Sequence, residues 1–251
     1  MKNDIRNKGK NISQNFIGTS GWQYRHWREN FYPASIQVKD QFSYYRSQFN
    51  TVELNASFYH VPLKKTFENW ASAVEDDFLF SVKANRYFTH LKKLQVRWED
   101  LEPFLNKTLA LEKHLGPILF QLPPSWKIDI ERLNHFLNLL PSTVKTTFEF
   151  RNQTWYQEEV YELLSSHQSA FCIYDLGGHF SPKIVTAPFV YIRLHGPEGK
   201  YQGFYQKDFL EQMAQYIHNW NAEQRDVYVY FDNDMQGYAP KNALMLRKIL
   251  S

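Results

Sequence analysis

From Thr147 to Arg151 the chain reads Thr-Phe-Glu-Phe-Arg. Two aromatic residues alternate with a hydroxyl, a carboxylate and a guanidinium, and a period of two marks a β-strand whose side chains take opposite faces. Phe148 and Phe150 share one face, and Thr147, Glu149 and Arg151 share the other. Thr51–Asn55, Thr-Val-Glu-Leu-Asn, has the same form, with Val52 and Leu54 opposed to Thr51, Glu53 and Asn55. Both segments turn a carboxylate to the side away from their apolar residues.

Working outward, further β-rich runs occur at Phe16–Thr19, Phe78–Lys83, Ile118–Gln121, Ala170–Tyr174, Val190–His195 and Val227–Asp232. Helical periodicity fills the gaps at Val38–Gln48, Lys65–Val74, Trp98–His114, Ile130–Leu140, Gln157–Ser166, Lys207–Trp220 and Asn242–Leu250. Repeated strand–helix units predict an α/β fold with a parallel sheet, and eight of them predict a single (β/α)8 TIM barrel. The length of 251 residues agrees with this, since such barrels take roughly 250. The sixth connection is expected to be irregular, because Asp175–Pro188 carries Gly177, Gly178, Pro182 and Pro188. The barrel domain is placed at residues 16–251, preceded by a flexible polar tail over residues 1–15.

The same parity turns Lys83, Gln121, Arg193, His195 and Asp232 into the barrel, each late in its strand. Burying an unpaired charge costs several kcal/mol or shifts its pKa. The plain explanation is a ring of internal ion pairs, Glu53 and Glu149 with Lys83, Arg151 and Arg193. A functional site is preferred, because these barrels place active sites at the C-terminal strand ends and buried ion pairs are often no more stabilising than apolar replacements.

Composition limits the function classes. Hydrophobic residues make up 43% and charged residues 22%, which describes a packed globular chain. A net charge of +3 is too small for a dedicated nucleic-acid binder. The lone Cys172 lies in an apolar run and is expected to be a buried, unreactive thiol. No secretory segment and no run of about 18 apolar residues is present, so a cytoplasmic protein without membrane partners is expected.

Several longer motifs now stand together: GTSGW at Gly18–Trp22, FYP at Phe31–Pro33, VELNASFYHVP at Val52–Pro62, SVKANRYFTH at Ser81–His90 and LFQLPPSW at Leu119–Trp126. FEFRNQTW at Phe148–Trp155, YIRLHG at Tyr191–Gly196, VYFDND at Val229–Asp234 and GYAPKNA at Gly237–Ala243 complete the set. In these the chain resembles the YecE-like family from Phe16 onward. The resemblance implies the (β/α)8 fold and marks a site, but the family brings no established reaction. Ser57 stands where the family pattern has threonine, which retains the hydroxyl.

From these residues the expected activity is acid/base chemistry on a small polar anionic substrate, phosphorylated or carboxylated and sugar-like. Glu53, Glu149 and His195 are the catalytic candidates. Asn55, Tyr59, Lys83, Gln121, Arg151, Arg193, Asp232 and Asn233 are the substrate-binding candidates. If Glu53 and Glu149 flanked a glycosidic bond, a separation of about 5 to 5.5 Å would mean retention and about 6.5 to 9.5 Å inversion. No cofactor is predicted. A divalent metal held by Glu149, Asp175, His195 and Asp232 is the weaker option, since Lys83, Arg151 and Arg193 would repel it. Two alternatives remain open: a metal-dependent phosphoesterase or nuclease acting on nucleic acid, and a ligand-binding barrel without turnover. The turn at Gly237 before the last helix could also receive an anion. His60 and His90 read as rim residues without a role, and rim aromatics such as Trp22, Tyr24, Phe58, Trp126, Tyr201 and Tyr238 suit either packing or stacking on a ring. The sequence leaves the oligomeric state open.

Overall fold

In the computed structural model of the chain, which describes residues 13–251, the predicted strand runs form one nearly closed parallel barrel. The strands are β1 (Asn15–Thr19), β2 (Thr51–Leu54), β3 (Leu79–Lys83), β4 (Leu115–Leu122), β5 (Thr146–Phe150), β6 (Ala170–Leu176), β7 (His179–Phe180), β8 (Phe189–Leu194) and β9 (Asp226–Phe231). Hydrogen bonding follows the order β1-β9-β8-β6-β5-β4-β3-β2. The exception, β7, folds back antiparallel on β6. This hairpin begins the connection that its glycines and prolines keep from forming a helix, and no helix lies between Gly177 and Pro188.

The helices are α1 (Gln41–Gln48), α2 (Ala56–Tyr59), α3 (Lys64–Ala71), α4 (Trp98–Thr108), α5 (Ile130–Leu139), α6 (Glu158–Ser166), α7 (Lys207–Ala222) and α8 (Tyr238–Leu250). Several differ from expectation, α1 starting three residues late and α3 ending three residues early. The four-residue α2 is too short to show a helical period. The run expected to reach His114 leaves α-geometry after Thr108, and Glu112 there takes φ 52°. Helix α8 starts four residues before Asn242, because Pro240 fits a first turn, where its missing N–H costs nothing. At the chain start, Ser13 and Gln14 already bond to Asn221 and to Asp226. The remainder of the expected tail, residues 1–12, lies outside the described residues.

Two seams in the ring are thin. Between β5 and β6 only Thr147↔Ala170 and Phe148↔Phe171 pair. Between β1 and β2 the join is a single bridge, Ser20↔Glu53, with the Gly21 amide donating to the Glu53 carbonyl at 2.8 Å. Gly18 permits this closure: a Cβ there would lie 2.3 Å from the Thr51 carbonyl oxygen.

The alternation read from the sequence sorts the core into two parts. Val52, Leu54, Phe148 and Phe150 join the large cluster between barrel and helices. Phe16, Leu119, Cys172, Phe189, Tyr191, Tyr228 and Tyr230 fill the barrel itself. The Tyr230 hydroxyl meets Thr51 Oγ1 at 2.7 Å and Ser81 Oγ at 2.8 Å, so the phenol ring supplies apolar filling while its oxygen is satisfied. Cys172 is fully buried among these residues, and burial pushes its thiol pKa well up, as the inert reading requires.

Candidate functional site

Above the tyrosine layer, where the strands end, the polar residues converge. Arg193 of β8 is at the centre and almost wholly buried, with 1% exposure. Its Nη2 and Nε donate to Glu53 Oε1 and Oε2 at 2.7 and 2.9 Å, and its Nη1 donates to Glu149 Oε2 at 2.7 Å. Nη2 also lies 3.4 Å from Asp232 Oδ2. One guanidinium therefore contacts three carboxylates, which its five-donor fork allows and an ammonium could not match geometrically.

Glu53 is further held by Ser20 Oγ and the Tyr191 hydroxyl, each at 2.7 Å. Glu149 also accepts from Arg151 Nε. Burial alone would raise the Glu149 pKa, but the charges of Arg151 and Arg193 outweigh it and hold the carboxyl well below the usual range.

His195, just past β8, presents Nδ1 to Asp232 Oδ2 at 2.9 Å. Its Nε2 faces Arg151 Nη2 at 2.7 Å and Arg193 Nη1 at 3.3 Å. Guanidinium groups only donate, so Nε2 carries the lone pair and the Nδ1–H donates to Asp232. Burial would raise the Asp232 pKa, yet the His195 hydrogen bond and the charge of Arg193 bring it below its ordinary value.

A cavity of roughly 540 Å³ opens over this floor. Lys83, Arg86, Arg151, Arg193 and Lys200 line it with their cations, and among the described residues Asp232 is the one carboxylate on its wall. Tyr59, Gln121, His90, His179, His195 and Tyr201 also face it. The loop from Gly196 to Tyr205 brings Lys200 and Tyr201 over the mouth. This loop needs glycine at 196: φ there is +123°, and a Cβ would sit 2.1 Å from the Gln202 carbonyl oxygen. Tyr205 pins its base, accepting from the Gly196 amide at 2.8 Å and donating to Asp175 Oδ2 at 2.7 Å.

The predicted site residues thus separate by depth. Lys83, Tyr59, Gln121, Arg151, Arg193, His195 and Asp232 line the cavity. Glu53 and Glu149 are 0% exposed beneath it, engaged by cations instead of standing free on its wall. Asn55 precedes α2 with its Oδ1 buried and unpartnered among the described residues. Asn233 is buried and donates to the Gly203 carbonyl and to Asn242 Oδ1, both at 2.9 Å, so it braces the loop instead of facing the cavity. Within the metal set Asp175 is occupied by Tyr205, and no group of three or more His, Cys, Asp or Glu among the described residues is placed to hold an ion.

Other cavity residues escaped sequence reasoning. Arg86, Gln153 and Lys200 lie outside the strands and His179 lies in the short hairpin strand β7, so the parity of the barrel strands does not reach them. Tyr174 was readable, since it shares the inward face of β6 with Cys172; Arg151 lies over its ring at 4.6 Å. His90 proves to be a wall residue, packed edge-on against Phe58, while Gly237 precedes α8 and lies against Asn30.

Comparison with known proteins places this barrel among relatives. A curated protein of Bacillus subtilis, the UPF0759 protein YunF, is 25% identical over 272 residues covering 94% of each chain. The crystal structure of a DUF72 family protein from Thermotoga maritima superposes with a TM-score of 0.85 at 28% identity, over 94% of this chain and 99% of that one. A DUF72 family protein from Enterococcus faecalis shares the fold, with a TM-score of 0.82 at 20% identity over 94% and 95% of the two chains. The model of the family described as "protein of unknown function DUF72" matches residues 16–251, and the chain belongs to that family, the YecE-like group its motifs resemble.

Proposed function

We propose that the protein is an enzyme that performs acid/base chemistry on a small anionic substrate held at the C-terminal mouth of the barrel. The observation that carries this reading is the charge of the cavity wall, where among the described residues five cations face one carboxylate. Glu53 and Glu149 neutralise part of that charge from below, but their oxygens are already spent on Arg193, Arg151 and neighbouring hydroxyls. Arg86 and Lys200 are exposed at the rim and carry no ion pair among the described residues, so an incoming carboxylate or phosphate would be their partner.

In this reading the proton-transfer group is His195, oriented by Asp232 through Nδ1. Arg151 now donates to Nε2, and turning that guanidinium toward a bound anion would free the lone pair for the substrate. Glu53 and Glu149 act as positioning residues that hold Arg193 and Arg151.

The test is a thermal-shift panel pairing sugar phosphates and keto acids with their neutral counterparts, followed by NMR observation of any ligand that binds. Anionic members should stabilise the protein; a ligand at 100 times its Kd contributes about 2.7 kcal/mol. The effect should fall in Arg151→Met, and turnover should fall by about 10²- to 10⁴-fold in Asp232→Asn. Equal shifts from neutral compounds would remove the anion site, and tight binding without any chemical change would leave a binding protein in place of an enzyme.

A further inference from the structure

Arg193 leaves a neighbour without a counter-ion. Glu53, Glu149 and Asp232 are all turned to Arg193, and Asp175 is taken by the Tyr205 hydroxyl. Lys83, at the end of β3 on the same wall, has no carboxylate within 4.0 Å and no hydrogen-bond partner for its Nζ among the described residues. The amine lies instead over the Phe58 ring, 4.4 Å from its centroid. Its backbone is fixed, because Ser57 Oγ donates to the Lys83 carbonyl at 2.6 Å and Asn85 Nδ2 donates to the Ser57 carbonyl at 2.9 Å. Arg86 and Lys200 are exposed, and water can solvate them; Lys83 is partly buried and points into the cavity.

An ammonium in such a place is poorly suited to a purely structural role and well suited to losing its proton. Burial first, and then the charge of Arg193, bring its pKa down to about 8, while the three carboxylates oppose this less strongly. At neutral pH a far larger share of the side chain is then free amine than for an ordinary lysine.

We propose that Lys83 is an imine-forming nucleophile, and that the substrates of this site are small aldehydes or ketones that carry a carboxylate or phosphate. This rests on the anion-binding reading given above and narrows it. The Nζ lone pair adds to the carbonyl carbon, the π pair moves to oxygen, and that oxygen takes a proton. The nitrogen then loses one proton, the hydroxyl leaves as water after gaining another, and the nitrogen pair forms C=N. The sum is amine plus carbonyl plus one proton, taken from solvent at the open mouth, giving iminium plus water. An iminium acidifies the adjacent C–H, and His195, tied to Asp232, is the base for that proton. The Arg and Lys groups of the rim hold the anionic end.

The experiment treats the purified protein with pyruvate, glyoxylate or dihydroxyacetone phosphate in the presence of sodium borohydride, then maps modified lysines by peptide mass spectrometry. Reduction converts the iminium to a stable secondary amine. At least one probe should label Lys83 tenfold or more above exposed lysines such as Lys39 and Lys65, and uncharged acetone should not. Lys83→Arg, checked for native circular dichroism, should lose the adduct at that peptide. Labelling of Lys83 at or below the level of Lys39 and Lys65 overturns the proposal. Thermal shifts with the same probes, without borohydride, separate the two ideas. Stabilisation without labelling at Lys83 removes the imine and keeps the anion site, while neither stabilisation nor labelling removes both.

Discussion

Arg193 grips Glu53 through two parallel hydrogen bonds, Nη2 to Oε1 at 2.7 Å and Nε to Oε2 at 2.9 Å, and neither side chain reaches solvent appreciably. Removing one partner of such a pair leaves the other charge buried and uncompensated. Glu53→Gln should therefore lower stability by about 3–5 kcal/mol, read as a shifted urea midpoint with unchanged slope. Tyr191→Phe removes a single hydrogen bond to the same carboxylate and should cost about 1.5–3 kcal/mol, because its acceptor is charged. A Glu53→Gln loss below about 1 kcal/mol would mean that Glu149 and Asp232 alone suffice for Arg193.

Gly18→Ala probes the ring closure. The new methyl carbon would meet the Thr51 carbonyl at 2.3 Å and the Tyr45 hydroxyl at 3.0 Å, so β1 and β2 must separate. A loss of about 3 kcal/mol is expected, at the upper end of ordinary overpacking, with a fall of about 6–12 °C in Tm. Gly116→Ala meets its nearest atom, Ser81 Oγ, only at 3.2 Å and should be much milder. Equal effects of the two substitutions, by calorimetry, would count against the seam as the sensitive point.

The Lys83 amine should appear in the pH dependence of stability. Its pKa falls from an ordinary 10.5 to about 8 on folding, so between these values the unfolded chain binds the extra proton and stability rises with pH. Below about pH 8 the burial penalty is present in full. Lys83→Met should accordingly be more stable than the parent at pH 7, by about 1–3 kcal/mol, and the gap should close toward pH 10.5. A gap independent of pH would assign the effect to packing.

The acid limb has the opposite sign. Glu149 and Asp232 both hold folded pKa values below their ordinary 4.5 and 3.8. Their contribution is complete above those ordinary values and is lost as pH falls through the lower folded ones. Acid unfolding monitored by circular dichroism should steepen below pH 4, and Asp232→Asn should flatten it. No change in slope would show that Asp232 has the same pKa in both states.

Asp232→Asn also tests orientation. An amide at position 232 can donate to Nδ1 and so place the histidine proton on Nε2, against Arg151 and Arg193. Once a substrate is in hand, kcat should fall by about 10²- to 10⁴-fold with little change in KM. A change confined to KM would make Asp232 a binding group only.

The barrel was legible because its strands alternate so regularly. In Thr147–Arg151 and Thr51–Asn55 every second residue is apolar, and the inward position of Glu53 and Glu149 follows from parity alone. What parity cannot give is depth. Glu53 and Asp232 both face inward, but one ends under a guanidinium and the other on the cavity wall, because the strands are staggered and Arg193 reaches down while Asp232 sits past the end of β9. Asn233 shows the same limit from the other side: it follows an inward residue, so its side chain turns to the loop it braces. Arg86, Lys200 and, in the two-residue β7, His179 were invisible for a different reason, since residues in such connections reach the mouth by chain reversals that leave no period in the sequence.

The two thin seams divide the ring into two four-stranded staves, β2 to β5 and β6, β8, β9 with β1. Arg193 belongs to one stave, and Glu53 and Glu149, each beside a seam, belong to the other. The guanidinium is thus a buckle across the cask as well as the floor of its mouth. Charge-altering substitutions at this level should loosen the hoop, visible as faster amide exchange at Gly21, whose N–H crosses the β1–β2 seam, before they redirect any chemistry. Variation is then free to accumulate around the rim, at Arg86, Lys200 and Tyr201, where a side chain can change without springing the staves apart.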